Sequence, residues 1–432
     1  MLLGTTSPGR PRALAPARRV VRLTGTTLRL GARALARATA SPPGERREAA
    51  LVAVADGWSG LGPVAVKLAQ LLATRRDILP PSVCDRLEAL WGQGPRSFDR
   101  GDEPVALRLA AASGQPAGTE FSLVGSGSIA YVLHATRPDG GHRAVKVVKP
   151  GVREAVDVDL ALVRGVARVL QHLPAFSGIP VRAMVDHLAS AIEAQTDLVA
   201  EGRSLVELGA AFADLGHVRV PRHVRTESSA DTLVMEWVPA AGGVARPSEE
   251  RAEDIMVLVY EMLFTHGLVH VDLHPGNLDT HGDEVVVYDA GFVMRVDHST
   301  RRSLGLFFLG LAVGDGQACA RAVVESCEQV PPDADLDGFT EAMQTVVDAN
   351  TGARSGEFNV VSFSQDLFTA QRAFGLYPDA SFVFPLMSLV AVEGQVRALH
   401  PGLDFQSLSI PYVGAALEAP HPDSPRKELI HG

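Results

Sequence analysis

At 432 residues the chain can bury a large core and, at roughly 150 residues per domain, holds two or three units. Hydrophobic residues make up 46% and charged residues 21% of the sequence, a balance that excludes disordered, collagen-like and coiled-coil chains. The formal charge of −10 is unevenly placed: residues 1–50 carry ten arginines against Glu45 and Glu48, so the remainder sits near −18.

The first 40 residues place Arg18, Arg19, Arg22, Arg29, Arg33 and Arg37 among alanines and leucines in a loosely helical rhythm. This arm reads either as an interfacial helix lying on anionic lipid or as a flexible basic tail. Ser41-Pro42-Pro43-Gly44 closes it as a linker. From Glu48 to about Gln93 the spacing predicts two helices joined at Leu79-Pro80-Pro81, because a proline's missing N–H costs nothing in a first turn. Residues 121–135 and 142–149 are rich in β-formers and flank a turn at Arg137-Pro138-Asp139-Gly140-Gly141, which predicts a hairpin. Alternation there puts Lys146 on the face opposite Val145 and Val147. A helix is expected over about Val152–Leu170 and a second from Val181 to about Phe212, followed by a strand over Asp231–Val238 and a loop from Pro239 to Pro247. Beyond it the chain reads as mainly helical, interrupted around 268–296.

No run reaches the roughly 18–20 continuous apolar residues of a membrane-spanning helix. The best candidate, Leu304–Val313, is cut off by Gly314-Asp315-Gly316 and reads as a buried core helix. The N-terminus lacks the apolar block and cleavage site of a secretory signal. Cys84, Cys319 and Cys327 have no CxxC or Cys/His spacing, so a reducing cytoplasm is the expected setting, with a peripheral membrane contact through the arm as an option.

The sharpest motif is His270-Val271-Asp272-Leu273-His274-Pro275-Gly276-Asn277, followed by the apolar run Val285–Val287 and Tyr288-Asp289-Ala290-Gly291. Phosphoryl transfer from ATP needs one carboxylate to orient the acceptor and separate oxygen ligands to hold Mg²⁺ on the phosphates. Kinase sites supply these from an Asp and an Asn separated by four residues on one loop and from an Asp-x-Gly turn after the next strand. Asp272, as the catalytic carboxylate, and Asn277 and Asp289, as metal ligands, reproduce that layout. Upstream, Gly125-Ser126-Gly127-Ser128 lies between two predicted strands, where glycines let the backbone approach phosphates, and Lys146 follows in the order expected of a phosphate-pairing lysine. Backbone groups near Glu236 and Val238 would lie at an interlobe hinge, in reach of adenine. His274 is read as a brace of the loop, with no zinc site implied.

Further segments resemble the UbiB/AarF atypical kinases. Lys67-Leu68-Ala69-Gln70 and Thr74–Pro81 are similar to the KxGQ and SxRxDxLPP elements that precede the kinase core in that family. Gly127–Val132 resembles its SIAQVH loop, Ala144–Gly151 its AVKVQRPG strand and turn, Asp197–Ser204 its αC-like segment, and Glu393–Pro401 its EGxxRxLDP element. The likeness runs from about residue 60 to 405. It implies an α+β, protein-kinase-like two-lobed fold with an N-terminal helical extension and a mainly helical C-lobe. The extension would pack over the site a protein substrate would otherwise use, projecting Lys67 and Gln70 into the nucleotide pocket. The family context implies ATP and Mg²⁺ as cofactors, and ATPase or small-molecule kinase activity linked to isoprenoid quinone or other lipid metabolism at membranes. Nucleotide is the expected partner, with an anionic membrane surface, an isoprenoid lipid and biosynthetic enzymes as further candidates and no nucleic acid. Domain limits of 1–47 for the arm, 48–118 for the extension, 119–240 for the N-lobe and 241–432 for the C-lobe follow.

Six positions depart from the family pattern, among them Gly125 and Gly127, which stand where many relatives are alanine-rich. Ala69 replaces a glycine, Ala290 the middle Phe of DFG, Tyr131 a glutamine near the phosphate loop, and Gln195 the glutamate taken as partner of the strand lysine. For that last role Glu193 or Glu201 substitutes, or the ion pair is absent. The HxDxHPGN and DxG layout is also shared by aminoglycoside and choline phosphotransferases, and a non-catalytic pseudokinase module is the third reading.

Overall fold

The computed structural model describes residues 14–73, 80–88, 101–172, 181–239, 247–274, 276–281, 284–350 and 359–418. Residues 74–79 of the family-like stretch, most of the loop expected at 239–247, and Pro275 lie outside them.

Five helices come first: α1 (Leu14–Ala40), α2 (Arg46–Asp56), α3 (Pro63–Ala73), α4 (Pro81–Glu88) and α5 (Asp102–Ala111). The sequence predicted two helices between 48 and 93; α2, α3 and α4 occupy that stretch, and prolines open both α3 and α4. The basic arm is a packed helix over α1. Leu30 is buried, and Arg19 donates to Asp159 Oδ1 at 2.8 Å, to Asp159 Oδ2 at 2.5 Å and to the Leu61 carbonyl at 2.7 Å. Ala69 is fully buried in a small core with Ala55, Val83 and Leu87, so the residue that replaces the family glycine still permits close helix packing.

The N-lobe sheet is antiparallel in the order β1 (Glu120–Ser126), β2 (Ala130–Thr136), β3 (His142–Val148), β5 (Thr232–Glu236). The turn joining β2 to β3 is the one the sequence predicts: Arg137 N–H donates to the Gly141 carbonyl at 2.8 Å, and Gly140 takes φ +80° there. Strand alternation divides the sheet. Val145, Val147 and Val234 face Ala106 and Ala110 of α5, while Ala144, Leu233 and Met235 share a core with Leu205 and Leu208 of the helix over Leu198–Ala211. Lys146 therefore points away from α5.

After β3, α6 spans Val152–Leu170 as expected. The single helix predicted from Val181 to Phe212 is instead two, α7 (Val181–Ala194) and α8 (Leu198–Ala211). Asp197 causes the break: its side chain accepts from the Val199 and Ala200 amides at 2.9 and 3.1 Å, capping α8. A short strand, β4 (Val218–Arg219), then leads toward β5.

In the C-lobe, α9 (Ser248–Tyr260) precedes the small strands β6 (Leu268–His270), β7 (Leu278–His281), β8 (Glu284–Val287) and β9 (Val293–Arg295). There follow α10 (His298–Val313), α11 (Gly316–Glu325), α12 (Leu336–Asn350), α13 (Val360–Phe374), α14 (Ala380–Leu399) and α15 (Phe405–Glu418). The apolar run at 304–313 is the buried side of α10, with Leu304, Phe307 and Leu311 in the core. A helix that is long and apolar enough by composition to cross a membrane does occur, α14, but 56% of it is buried within this lobe. Buried Glu393 of α14 accepts from the first amides of α13, Val360 and Val361, at 2.9 Å each.

That carboxylate is the hydrogen-bond partner of both amides. Glu393→Ala should therefore destabilise the C-lobe by about 2 kcal/mol, the cost of stranded buried donors. A urea unfolding midpoint equal to wild type would contradict this role.

Candidate active site

Two ion clusters meet where the lobes face each other. In the first, Lys146 of β3 donates to Glu201 Oε1 at 2.6 Å and to Asp289 Oδ2 at 2.5 Å. Glu201 lies on the inner face of α8, and Asp289 follows β8, so one ammonium joins the sheet, α8 and the C-lobe. Glu201 resolves the alternatives left by the sequence: it is the partner of the strand lysine, and the ion pair is present. Gln195 is buried, and its Nε2 has no hydrogen-bond partner among the described residues. Glu193 pairs with Arg164 at 2.8 Å.

The electrostatics follow from burial and pairing. Desolvation would strip Lys146 of its proton, but Asp289 and Glu201 outweigh it and hold the ammonium above the ordinary lysine range. Burial raises the Asp289 carboxyl, but Lys146, His270 and the Gly291 amide together hold it well below the usual range. Glu201 is pushed up to about 7, by burial first and by Asp289 next, against the pull of Lys146.

The second cluster surrounds Asp272. Its carboxylate Oδ2 accepts from Lys67 of α3, its carbonyl accepts from Asn277 Nδ2 at 2.9 Å, and His274 Nε2 stands 4.0 Å from Oδ1. Burial raises the Asp272 carboxyl, yet Lys67 and His274 leave it lowered and ionised. Gln70 lies on α3, and its side chain is outside the described residues. His274 braces the loop as expected, its Nδ1 accepting from the Gly276 amide at 2.9 Å.

His270 joins the two clusters. The Asp272 amide donates to its Nδ1 at 3.2 Å, which leaves Nε2–H to donate to the Asp289 carbonyl at 2.8 Å. The ring is completely buried, and burial lowers its pKa, so it is the neutral tautomer that fits both bonds. Ser388 of α14 donates to the His270 carbonyl at 2.8 Å. Nothing in the sequence signals that brace, because serine in an apolar helix carries no motif.

The glycine-containing turn is pinned from behind. Gly125 sits at a bulge in β1, and the Gly127 amide donates to the Ala130 carbonyl at 2.9 Å. The Ser126 hydroxyl donates to Asp102 Oδ2 at 2.7 Å and accepts from Lys149 at 2.9 Å, and Tyr131 donates to the other Asp102 oxygen at 3.1 Å. Ser126 is thus held by side chains, while Gly127 is exposed and Ser128 half-buried at the tip. Asp102 belongs to no motif in the sequence. At the hinge, Glu236 turns its carboxylate to Arg219 at 2.6 Å and its amide to the Arg222 carbonyl at 2.9 Å, and Val238 is buried.

The donor set suits a hard divalent cation. Asp289 is ionised, and Asn277, having given its amide nitrogen to Asp272, keeps its oxygen for another partner. Mg²⁺ takes one or two protein oxygens of this kind and completes its shell with phosphates and water.

Residues 119–323 match the ABC1 atypical kinase-like domain. The chain is 26% identical over 378 residues to a probable protein kinase UbiB from Tolumonas auensis, covering 82% of this chain and 68% of that one. It is 27% identical over 376 residues to a probable protein kinase UbiB from Aeromonas salmonicida, with the same two coverages. Among solved structures, the Rv3197–erythromycin complex from Mycobacterium tuberculosis has a TM-score of 0.51 at 20% identity, covering 87% of this chain and 99% of that chain, and shares the kinase-like fold.

Lys146→Met would leave two carboxylates facing each other in a buried place. A buried acid with a raised folded pKa binds its proton more tightly folded than unfolded, so stability falls as pH rises through that range. The variant's melting temperature should drop further below wild type at pH 8 than at pH 6, where Glu201 can take up a proton; an equal drop at both would exclude this coupling.

Proposed function

We propose, from the match of residues 119–323 to the ABC1 atypical kinase-like domain and the likeness of the chain to UbiB proteins, that it binds ATP with Mg²⁺ between its lobes and transfers the terminal phosphoryl group to water or a small acceptor. The observation that carries this reading is the single ammonium of Lys146 bonded to both Glu201 and Asp289. Lys146 would neutralise phosphate oxygens, and Asp289 and Asn277 would hold the metal. The metal supplies charge neutralisation on the phosphates. Asp272 would orient the attacking oxygen once Lys67 releases it. The backbone at Glu236 and Val238 would receive the adenine, and the exposed tip at Gly127 and Ser128 would lie over the phosphates. Because α3 delivers Lys67 directly to Asp272, the acceptor side is covered by the extension, which favours water or a small molecule over a protein substrate.

The expected result is a thermal shift with Mg-ATP that disappears on adding EDTA and is absent in Asp289→Asn. Lys146→Ala should weaken binding about tenfold or more, as loss of a charge-assisted phosphate contact does. Wild-type shifts in both variants would remove these residues from the site.

A place in isoprenoid quinone or other lipid metabolism, carried over from the UbiB likeness, has support from α1. Val21, Leu28 and Leu35 recur every seven residues and are 72%, 70% and 66% exposed, beside exposed Arg22, Arg29 and Arg33. This stripe fits an anionic membrane surface. Leu28→Asp with Leu35→Asp should abolish co-sedimentation with phosphatidylglycerol liposomes while leaving the melting temperature unchanged; retained sedimentation would assign the membrane contact elsewhere or to none.

A further inference from the structure

The outer side of α8 forms one wall of a recess of about 420 Å³, away from Lys146. Its lining comprises Leu198, Val199, Gly202, Arg203 and Val206 from α8 and His223, Arg225, Ser228 and Ser229 from the segment before β5. Val199, Arg203 and Val206 are exposed on the outer side of α8, and Leu198 and Gly202 are buried at its edge, beside the inner face that carries Glu201 and Leu205. One helix thus separates this recess from the Lys146 cluster.

The far wall is built, not loose. Ser228 Oγ is 3.1 Å from His223 Nε2, accepts from the Val234 amide at 2.9 Å and donates to the Val224 carbonyl at 3.0 Å. Gly202 lets the His223 ring lie against α8, since a Cβ there would come within 2.6 Å of the imidazole. The recess accordingly has a fixed floor and a moderate volume, within the range of small-ligand sites.

Among the described residues its charge is uncompensated. Four carboxylates close to it in sequence are engaged elsewhere: Glu207 with Arg295 at 2.6 Å, Glu227 with Arg137, Asp231 with Arg153, and Asp197 with the first amides of α8. Arg203 and Arg225, by contrast, have no carboxylate partner among the described residues. Two unpaired guanidiniums beside the apolar side chains of Leu198, Val199 and Val206 favour a ligand with an anionic head and an aliphatic body.

We propose that this recess is a second ligand site, for a small amphipathic anion bearing a phosphate or carboxylate, and that its occupant braces α8 from behind. Such a ligand places its anionic group between Arg203 and Arg225 and its chain along Val199 and Val206. Filling the space stiffens the helix that presents Glu201. The site stands independently of the nucleotide reading, because neither its residues nor its readout involve nucleotide.

Isothermal titration calorimetry of the full chain with octyl phosphate, octanoate, octanol and inorganic phosphate tests it. At least one of the two anionic amphiphiles should bind, and octanol and inorganic phosphate should each bind about tenfold more weakly, since each lacks one half of the recognition. Arg203→Ala with Arg225→Ala should remove binding without changing the melting temperature, as both side chains are exposed. Val206→Glu, which puts a carboxylate at the recess, should do the same. Hydrogen exchange of the 198–211 amides should slow when the probe is bound. No binding of either amphiphile, equal binding of inorganic phosphate, or undiminished binding in the arginine variant would overturn the site. Unaltered exchange of α8 in the bound state would overturn the bracing.

Discussion

An ammonium shared by two carboxylates, Lys146 between Glu201 and Asp289, is the interaction on which the rest of the molecule is arranged. Each of the three groups would be costly alone in a place this dry, and each is tolerable only because the others are present. Their carriers are a strand of the small sheet, the capped helix α8 and the end of β8. The cluster is therefore an electrostatic fastening between lobes as well as a candidate site. The surrounding features serve its geometry: Asp197 starts α8 in the right place, and strand alternation turns Lys146 away from the valines under α5.

A second constraint fixes the C-lobe side. Buried His270 in one neutral tautomer links the Asp272 amide to the Asp289 carbonyl, so the two carboxylates cannot move independently. The ring is held in turn by Ser388, and the Gln395 side chain reaches the Leu278 carbonyl at 3.4 Å. The family-like segment beginning at Glu393 is thus structural: Glu393 caps α13, and Arg397 bonds the Pro401 carbonyl at 2.7 Å and lies over Phe405.

What could be read from the sequence was what local chemistry determines. The hairpin at 137–141 and the strand bearing Lys146 were visible because turn residues and alternation are short-range signals. So was the loop joining Asp272 to Asn277, whose spacing is a feature of six residues. The break before α8 was missed, since Asp197 looks the same inside a helical run as at its start until its side chain is seen on the amides. Long-range pairs were less visible still. Arg19 and Asp159 stand 140 positions apart, and nothing in the basic rhythm of the arm singled out Arg19 as the residue that docks it. Lys67 was identified only through a family resemblance, and Asp102, which anchors Ser126, by nothing at all.

The recognisable kinase-like segment ends at residue 323, yet the loop bearing Asp272 is gripped by Lys67 from one end of the chain and Ser388 from the other. That segment is consequently not a portable module. Excised at its boundaries, it would carry every residue of the motif but lack two of the hands that hold them in place. Damage to the chemistry can accordingly originate in regions of the chain with no chemical signature of their own.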